Sequence, residues 1–112
     1  MADEAPIWTR VYHHPQPWDR PFPPMSGVEM FRAAVARRGD APLHDFMGRQ
    51  RSYVEVGREA DRVAKGLQAM GVGKGDRVGL FLPNLPHYVA AYYGAMIAGA
   101  TVVNFSPLYT VD

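Results

Sequence analysis

The chain has 112 residues, enough for one small domain, and its 47% hydrophobic and 21% charged content is an ordinary globular balance. A net charge of +1 gives no electrostatic case for nucleic acid or an anionic membrane surface. The absence of cysteine excludes a disulfide scaffold and thiol chemistry, and is compatible with a reducing cytoplasm.

Residues 1–25 carry six of the ten prolines, at positions 6, 15, 17, 21, 23 and 24. Proline removes backbone donors and fixes φ, so neither helix nor central strand is expected here. Ile7, Trp8, Tyr12, Trp18 and Phe22 make the segment too apolar for a free tail. It reads as an extended arm whose aromatic rings dock on a folded body. The acidic start, Met1-Ala-Asp-Glu, lacks the apolar core of a secretory signal.

Ser26-Gly-Val-Glu29 has the pattern of a capping box, and Val28, Phe31, Ala34 and Val35 continue it as one apolar stripe at helical spacing, closed by Gly39. Residues 41–52 predict two short strands around a turn at Met47-Gly48. Ser52-Tyr-Val-Glu55 is a second capping box. Tyr53, Val56, Ala60, Val63, Ala64, Leu67 and Met70 trace the apolar face of the helix it opens, which Gly71 ends.

Gly71-Val-Gly-Lys-Gly-Asp76 is rich in glycine, but it leads from a helix C-terminus into a strand. A phosphate-cradling loop runs the other way, from a strand to the free N–H groups of a helix N-terminus. It reads as a glycine-capped turn.

Residues 77–105 predict strand, crossover helix and strand. Arg77-Val-Gly-Leu-Phe-Leu82 is a nearly continuous apolar run, expected to lie in a parallel sheet covered on both faces. Residues 83–100 suit the crossover that parallel strands require. Asn84 or Leu85 caps the helix and Pro86 occupies its first turn. The helix is apolar nearly all round, with Gly94 and Ala98 expected to let it approach the sheet and the arm or later sequence expected to cover its other side. Thr101-Val-Val-Asn-Phe105 is the second strand. Residues 88–111 contain no charge, yet Gly94, Gly99, Asn104, Ser106 and Pro107 interrupt them, so a buried helix followed by a buried strand is favoured over a membrane span. Thr110-Val-Asp112 resembles the start of a further helix. Because a doubly wound sheet needs more strands than these two, the expectation is a portion of a longer protein.

No catalytic constellation is visible. His13, His14, His44 and His87 have no ligand-like spacing, Ser26 and Ser52 are explained as caps, and Ser106 has no base near it in sequence. No dinucleotide fingerprint lies between Leu82 and Pro86.

Leu67-Gln-Ala-Met-Gly-Val-Gly-Lys-Gly-Asp-Arg-Val-Gly-Leu-Phe-Leu-Pro-Asn84 resembles a segment near the N-terminus of acyl-adenylate-forming enzymes. Gly94-Ala-Met-Ile-Ala-Gly-Ala-Thr-Val-Val-Asn104 resembles the segment that follows it. Asn104-Phe-Ser-Pro-Leu-Tyr-Thr110 is similar to the corresponding stretch of bacterial long-chain fatty acyl-CoA synthetases, with Phe-Ser inserted, and Arg51-Ser-Tyr53 matches the family's strand-to-helix passage. The likeness runs over residues 26–112. It implies an α/β fold, the opening βαβ portion of the large N-terminal domain of an adenylate-forming enzyme, preceded by the arm. Residues 1–25 are then the arm and residues 26–112 the first part of the AMP-binding domain.

For the intact protein the resemblance implies a ligase using ATP, CoA and Mg²⁺ on a fatty acid or other carboxylic acid, located in the cytoplasm or at most peripheral to the inner membrane. The family's phosphate loop, adenine-binding and acid motifs and catalytic lysine have no counterpart in these residues. No catalytic, cofactor-binding or metal-binding residue is therefore expected here, and no cofactor is expected to bind these residues alone. The expected partners are the remainder of the polypeptide and the substrate, with a homodimer open and nucleic acid not expected. The other reading is a non-catalytic binding or dimerisation module.

Overall fold

A computed structural model describes residues 5–111; positions 1–4, which hold the acidic start, and position 112, the end of the expected further helix, lie outside the described residues. In chain order the elements are a short 3₁₀ turn (Ile7–Val11), α1 (Gly27–Arg38), β1 (Pro42–Phe46), β2 (Arg49–Ser52), α2 (Tyr53–Ala69), β3 (Arg77–Phe81), α3 (Pro86–Ile97) and β4 (Thr101–Phe105). Thr110 and Val111 are not helical.

Local sequence chemistry sets the helix ends. The Ser26 and Ser52 hydroxyls accept from the N–H groups of Glu29 and Glu55, and both glutamates accept in return from the serine N–H at 2.8 Å. Each box satisfies two donors that a bare helix start would leave open. At the other ends, α2 and α3 close in the same way. Gly71 (φ +90°) and Gly99 (φ +94°) take the left-handed conformation. The next residues, Val72 and Ala100, donate back to Leu67 and Ala95, which completes a Schellman motif at each end.

The core lies among the three helices and the hairpin. Phe31, Val56 and Ala60 are buried at its centre, with Val35, Leu43, Val89, Tyr93 and Ile97 packed around them. Phe31 of α1 stacks on Tyr93 of α3, ring centroids 4.1 Å apart. Burying a phenylalanine side chain contributes about 1.5–3 kcal/mol. The α2 stripe faces this core as expected except at Met70, which falls past the last turn and is exposed.

β3 and β4 pair in parallel, Arg77 opposite Thr101 through Phe81 opposite Phe105. The covering of α3 differs from expectation. Its second surface is α2, not the arm. Gly94 faces α2 rather than the sheet: a Cβ there would stand 2.6 Å from Val63 and 2.9 Å from the Ala60 carbonyl. The expectation that β3 lies covered on both faces also fails among the described residues. Leu80 is buried on the α3 side, whereas Phe81 is 65% exposed, because the two-stranded sheet carries a helix on one face only.

The arm departs further. A 3₁₀ turn forms after Pro6, whose fixed φ suits a helix start, and Thr9 donates to the Pro6 carbonyl through both backbone and hydroxyl. Trp8 packs edge-on against Trp18, centroids 6.2 Å apart, and both rings remain about half exposed, at 57% and 46% for the residues. The rings find each other instead of the body. The radius of gyration, 18.7 Å, exceeds the roughly 13 Å of a compact chain this long.

Candidate functional site

In open α/β sheets ligands bind outside the carboxyl ends of the strands. The parallel pair places a cleft of 400 Å³ at that location, between Leu82-Pro83-Asn84 after β3 and Ser106-Pro107-Leu108-Tyr109 after β4. α3 starts here, with Leu85 at its N-cap and Pro86 in its first turn. Tyr88 therefore projects from the first turn of α3, and its hydroxyl donates to Asn104 Oδ1 at the end of β4. That bond ties the crossover helix to the second strand across the floor of the cleft.

The lining is chemically quiet. It offers the amides of Asn84 and Asn104, the phenols of Tyr88 and Tyr109 and the Ser106 hydroxyl among apolar walls. Ser106 Oγ is already used, accepting from the Leu108 N–H at 3.2 Å. Among the described residues no carboxylate, imidazole or amine lines the cleft, so they supply no base to activate the serine. The arrangement can hold and orient a ligand by hydrogen bonds and apolar contact.

Other candidate groups are dispersed. Among the described residues no three His, Asp or Glu side chains gather as metal ligands. His14 Nδ1 accepts from the Gln16 N–H within the arm, while His44 lies in β1 of the hairpin and His87 in the first turn of α3, lining the same cleft. The glycine-rich turn at 71–76 is closed on itself. Gly73 donates to the Asp76 carboxylate at 2.8 Å, and Gly71, Val72 and Asp76 donate to carbonyls of the same turn or of α2. An anion already occupies the place a phosphate would need. The turn is therefore not a phosphate cradle of the strand-to-helix kind. Among the described residues no helix is long and apolar enough to cross a membrane.

The grouping of Asn84, Tyr88 and Asn104 is absent from the sequence expectations. The strand-end rule, applied to the residues after Leu82 and Phe105, is the signal that finds it.

The fold is that of the opening βαβ portion of the N-terminal domain of adenylate-forming enzymes. Residues 31–112 match the AMP-binding enzyme family, and the chain belongs to that family. It is 35% identical over 110 residues to the long-chain-fatty-acid–CoA ligase of Bacillus subtilis (strain 168), a match spanning 98% of this chain and 20% of that protein. Among solved structures it is similar to the nonribosomal peptide synthetase FmoA3 in its α-methyl-L-serine-AMP-bound form. There the TM-score is 0.75 and the identity 30%, over 81% of this chain and 10% of that one. It shares the fold of the N-terminal subdomain of Klebsiella oxytoca NpsA, with a TM-score of 0.72 at 23% identity, over 75% of this chain and 22% of that one.

Proposed function

We propose that this chain is the opening scaffold of a fatty-acid–CoA ligase, with residues 1–25 as its arm and residues 26–112 as the first part of the AMP-binding domain. In the intact enzyme a carboxylate oxygen attacks the α-phosphorus of ATP, giving an acyl-adenylate and releasing pyrophosphate. The CoA thiol then displaces AMP to give acyl-CoA, with Mg²⁺ assisting at the phosphates. The observation that carries this reading is the 35% identity to a long-chain-fatty-acid–CoA ligase along 98% of the chain. Its substrate is a fatty acid or other carboxylic acid, its main partner the rest of its own polypeptide, and its location the cytoplasm or at most the periphery of the inner membrane.

The test is acyl-CoA formation by the intact polypeptide given ATP, Mg²⁺, CoA and a fatty acid, beside the 112-residue chain alone. Product from the intact protein and none from the chain is expected. Pyrophosphate release by the chain alone would refute the scaffold role, and an intact protein that makes no acyl-CoA would refute the ligase.

A second reading, a dimerisation module, is favoured by one observation: Trp8 and Trp18 pair with each other and stay half exposed. Such an arm can exchange between protomers at low cost. Sedimentation over a concentration series, with and without residues 1–25, separates the two. A monomer in both forms rejects the module.

A further inference from the structure

By its own sequence α2 is neutral: Glu55, Glu59 and Asp61 balance Arg58, Arg62 and Lys65. The fold draws those carboxylates away. Asp61 pairs with Arg32 of α1 at 2.8 Å, and Glu59 with Arg51 of β2 at 2.7 Å. Glu55 turns back onto the helix start, where it accepts from the Ser52 N–H at 2.8 Å, although it still attracts Arg51 and Arg58. Arg58, Arg62 and Lys65 are left without an ion pair among the described residues. The five cations named here face three carboxylates, an excess of two positive charges. The whole chain carries only +1, so its positive charge is concentrated at this helix.

Positions 58, 62 and 65 fall within an arc of about 60° around α2 and span roughly 10 Å along it. The arc lies opposite Val56 and Ala60, which are buried, and all three cations are exposed. Like charges three and four residues apart repel on a bare helix, so the row does nothing for α2 itself. Ala69 continues the same ridge. Gly66 borders it, with open space where a Cβ would stand. The ridge is therefore low beyond Lys65, and another backbone can come close.

The shape of the row indicates what it fits. Recognition of anionic lipid takes clusters of about four to eight cations, and a duplex is held by a comparable number of phosphate contacts. Three cations in single file are too few and too narrow for either. Their spacing of four and then three residues is the helical period, and it matches carboxylates repeated along one face of another helix.

We propose that the outer ridge of α2 docks an acidic helix of a partner protein, its row of carboxylates set against Arg58, Arg62 and Lys65 and its backbone lying over Gly66 and Ala69. The surface is separate from the strand-end cleft and independent of the ligase reading.

The test is a titration of the intact protein against a labelled alanine-based peptide of about 20 residues, long enough to be helical, read by fluorescence anisotropy. Its three glutamates stand at i, i+4 and i+7. An isomer of the same composition spreads them around the helix, and phosphatidylglycerol vesicles and duplex DNA are titrated in parallel. The one-faced peptide is expected to bind at least about fivefold tighter than its isomer, and to weaken about tenfold as salt rises from about 0.05 to about 0.5 M. Neutralising the row with Arg58→Gln, Arg62→Gln and Lys65→Gln together is expected to weaken binding about tenfold or more, with the circular dichroism unchanged. Arg62→Glu should also weaken it, and replacing the middle glutamate of the peptide by lysine should restore it, which a merely structural defect would not allow. Equal binding of the isomer would reduce the effect to total charge and overturn the docking face. Unchanged affinity in the triple variant, or tighter binding of the vesicles or DNA than of the peptide, would overturn it as well. Acyl-CoA formation measured on the same samples reports the ligase reading separately.

Discussion

At the scale of the residue, two glycines in helices make opposite predictions. Gly66 lies in α2 with open space where a Cβ would go, so Gly66→Ala is expected to stabilise by about 0.5–1 kcal/mol through helix propensity. Gly94 has the same propensity to gain, but its Cβ would press on Val63 and the Ala60 carbonyl of α2. Overpacking costs typically 1–3 kcal/mol, and the backbone carbonyl cannot rotate away, so Gly94→Ala is expected to destabilise. Urea unfolding of the two variants checks both signs, and stabilisation by Gly94→Ala would mean that α2 and α3 do not pack this closely. The sequence marks Gly94 as a close-approach position but cannot name its neighbour. Helical periodicity says which face is apolar, whereas the partner depends on how α3 crosses α2. The burial of the His44 ring nitrogens was illegible for a related reason: a bulge, not the strand alternation, turns the side chain inward.

At the scale of the element, the local devices were the most legible, because each is written within four residues. Both capping boxes, the Met47-Gly48 turn and the glycine end of α2 form where the sequence places them. Removing the cap by Ser52→Ala is expected to cost about 0.5–2 kcal/mol, measured by thermal or urea unfolding. The Glu55 carboxyl is held below its ordinary value of 4.5, mainly because it accepts from the Ser52 N–H, then from the Ser52 hydroxyl, with Arg51 and Arg58 adding attraction. A carboxyl lowered in the folded state binds fewer protons there than in the unfolded chain near that pH. Its contribution is therefore present above the ordinary value and lost as pH falls through the folded one. Glu55→Gln keeps an oxygen acceptor but cannot titrate. The stability difference between the parent and this variant should shrink as pH falls from about 6 to about 3, read from urea midpoints. A difference that stays constant across that range would remove Glu55 as the titrating group.

At the scale of the whole molecule, the helical side is closed and the far side of the sheet is open. The expected parallel pair formed because residues 83–100 are long enough to cross from one strand to the next. The expected double cover did not, because an apolar run states that a strand prefers burial without supplying the layer that buries it. Phe105 lies against Gly79 and fills the space that a side chain there would take, yet remains 47% exposed beside Phe81. Among the described residues each strand also has only one partner, which leaves an edge on both sides of the pair. Contiguous apolar surface of this kind favours association, and open edges add strand pairing as a second route. The 112-residue chain alone is therefore expected to self-associate at rising concentration and to bind a dye such as ANS. Phe81→Lys should weaken both effects, because it places a charge on the outer face while Leu80 continues to point toward α3. Sedimentation and dye fluorescence on parent and variant make the check. A sharp, concentration-independent unfolding transition without dye binding would show that the outer face is satisfied within the chain itself. Association unchanged by Phe81→Lys, but abolished by deleting residues 1–25, would instead assign it to the aromatic arm.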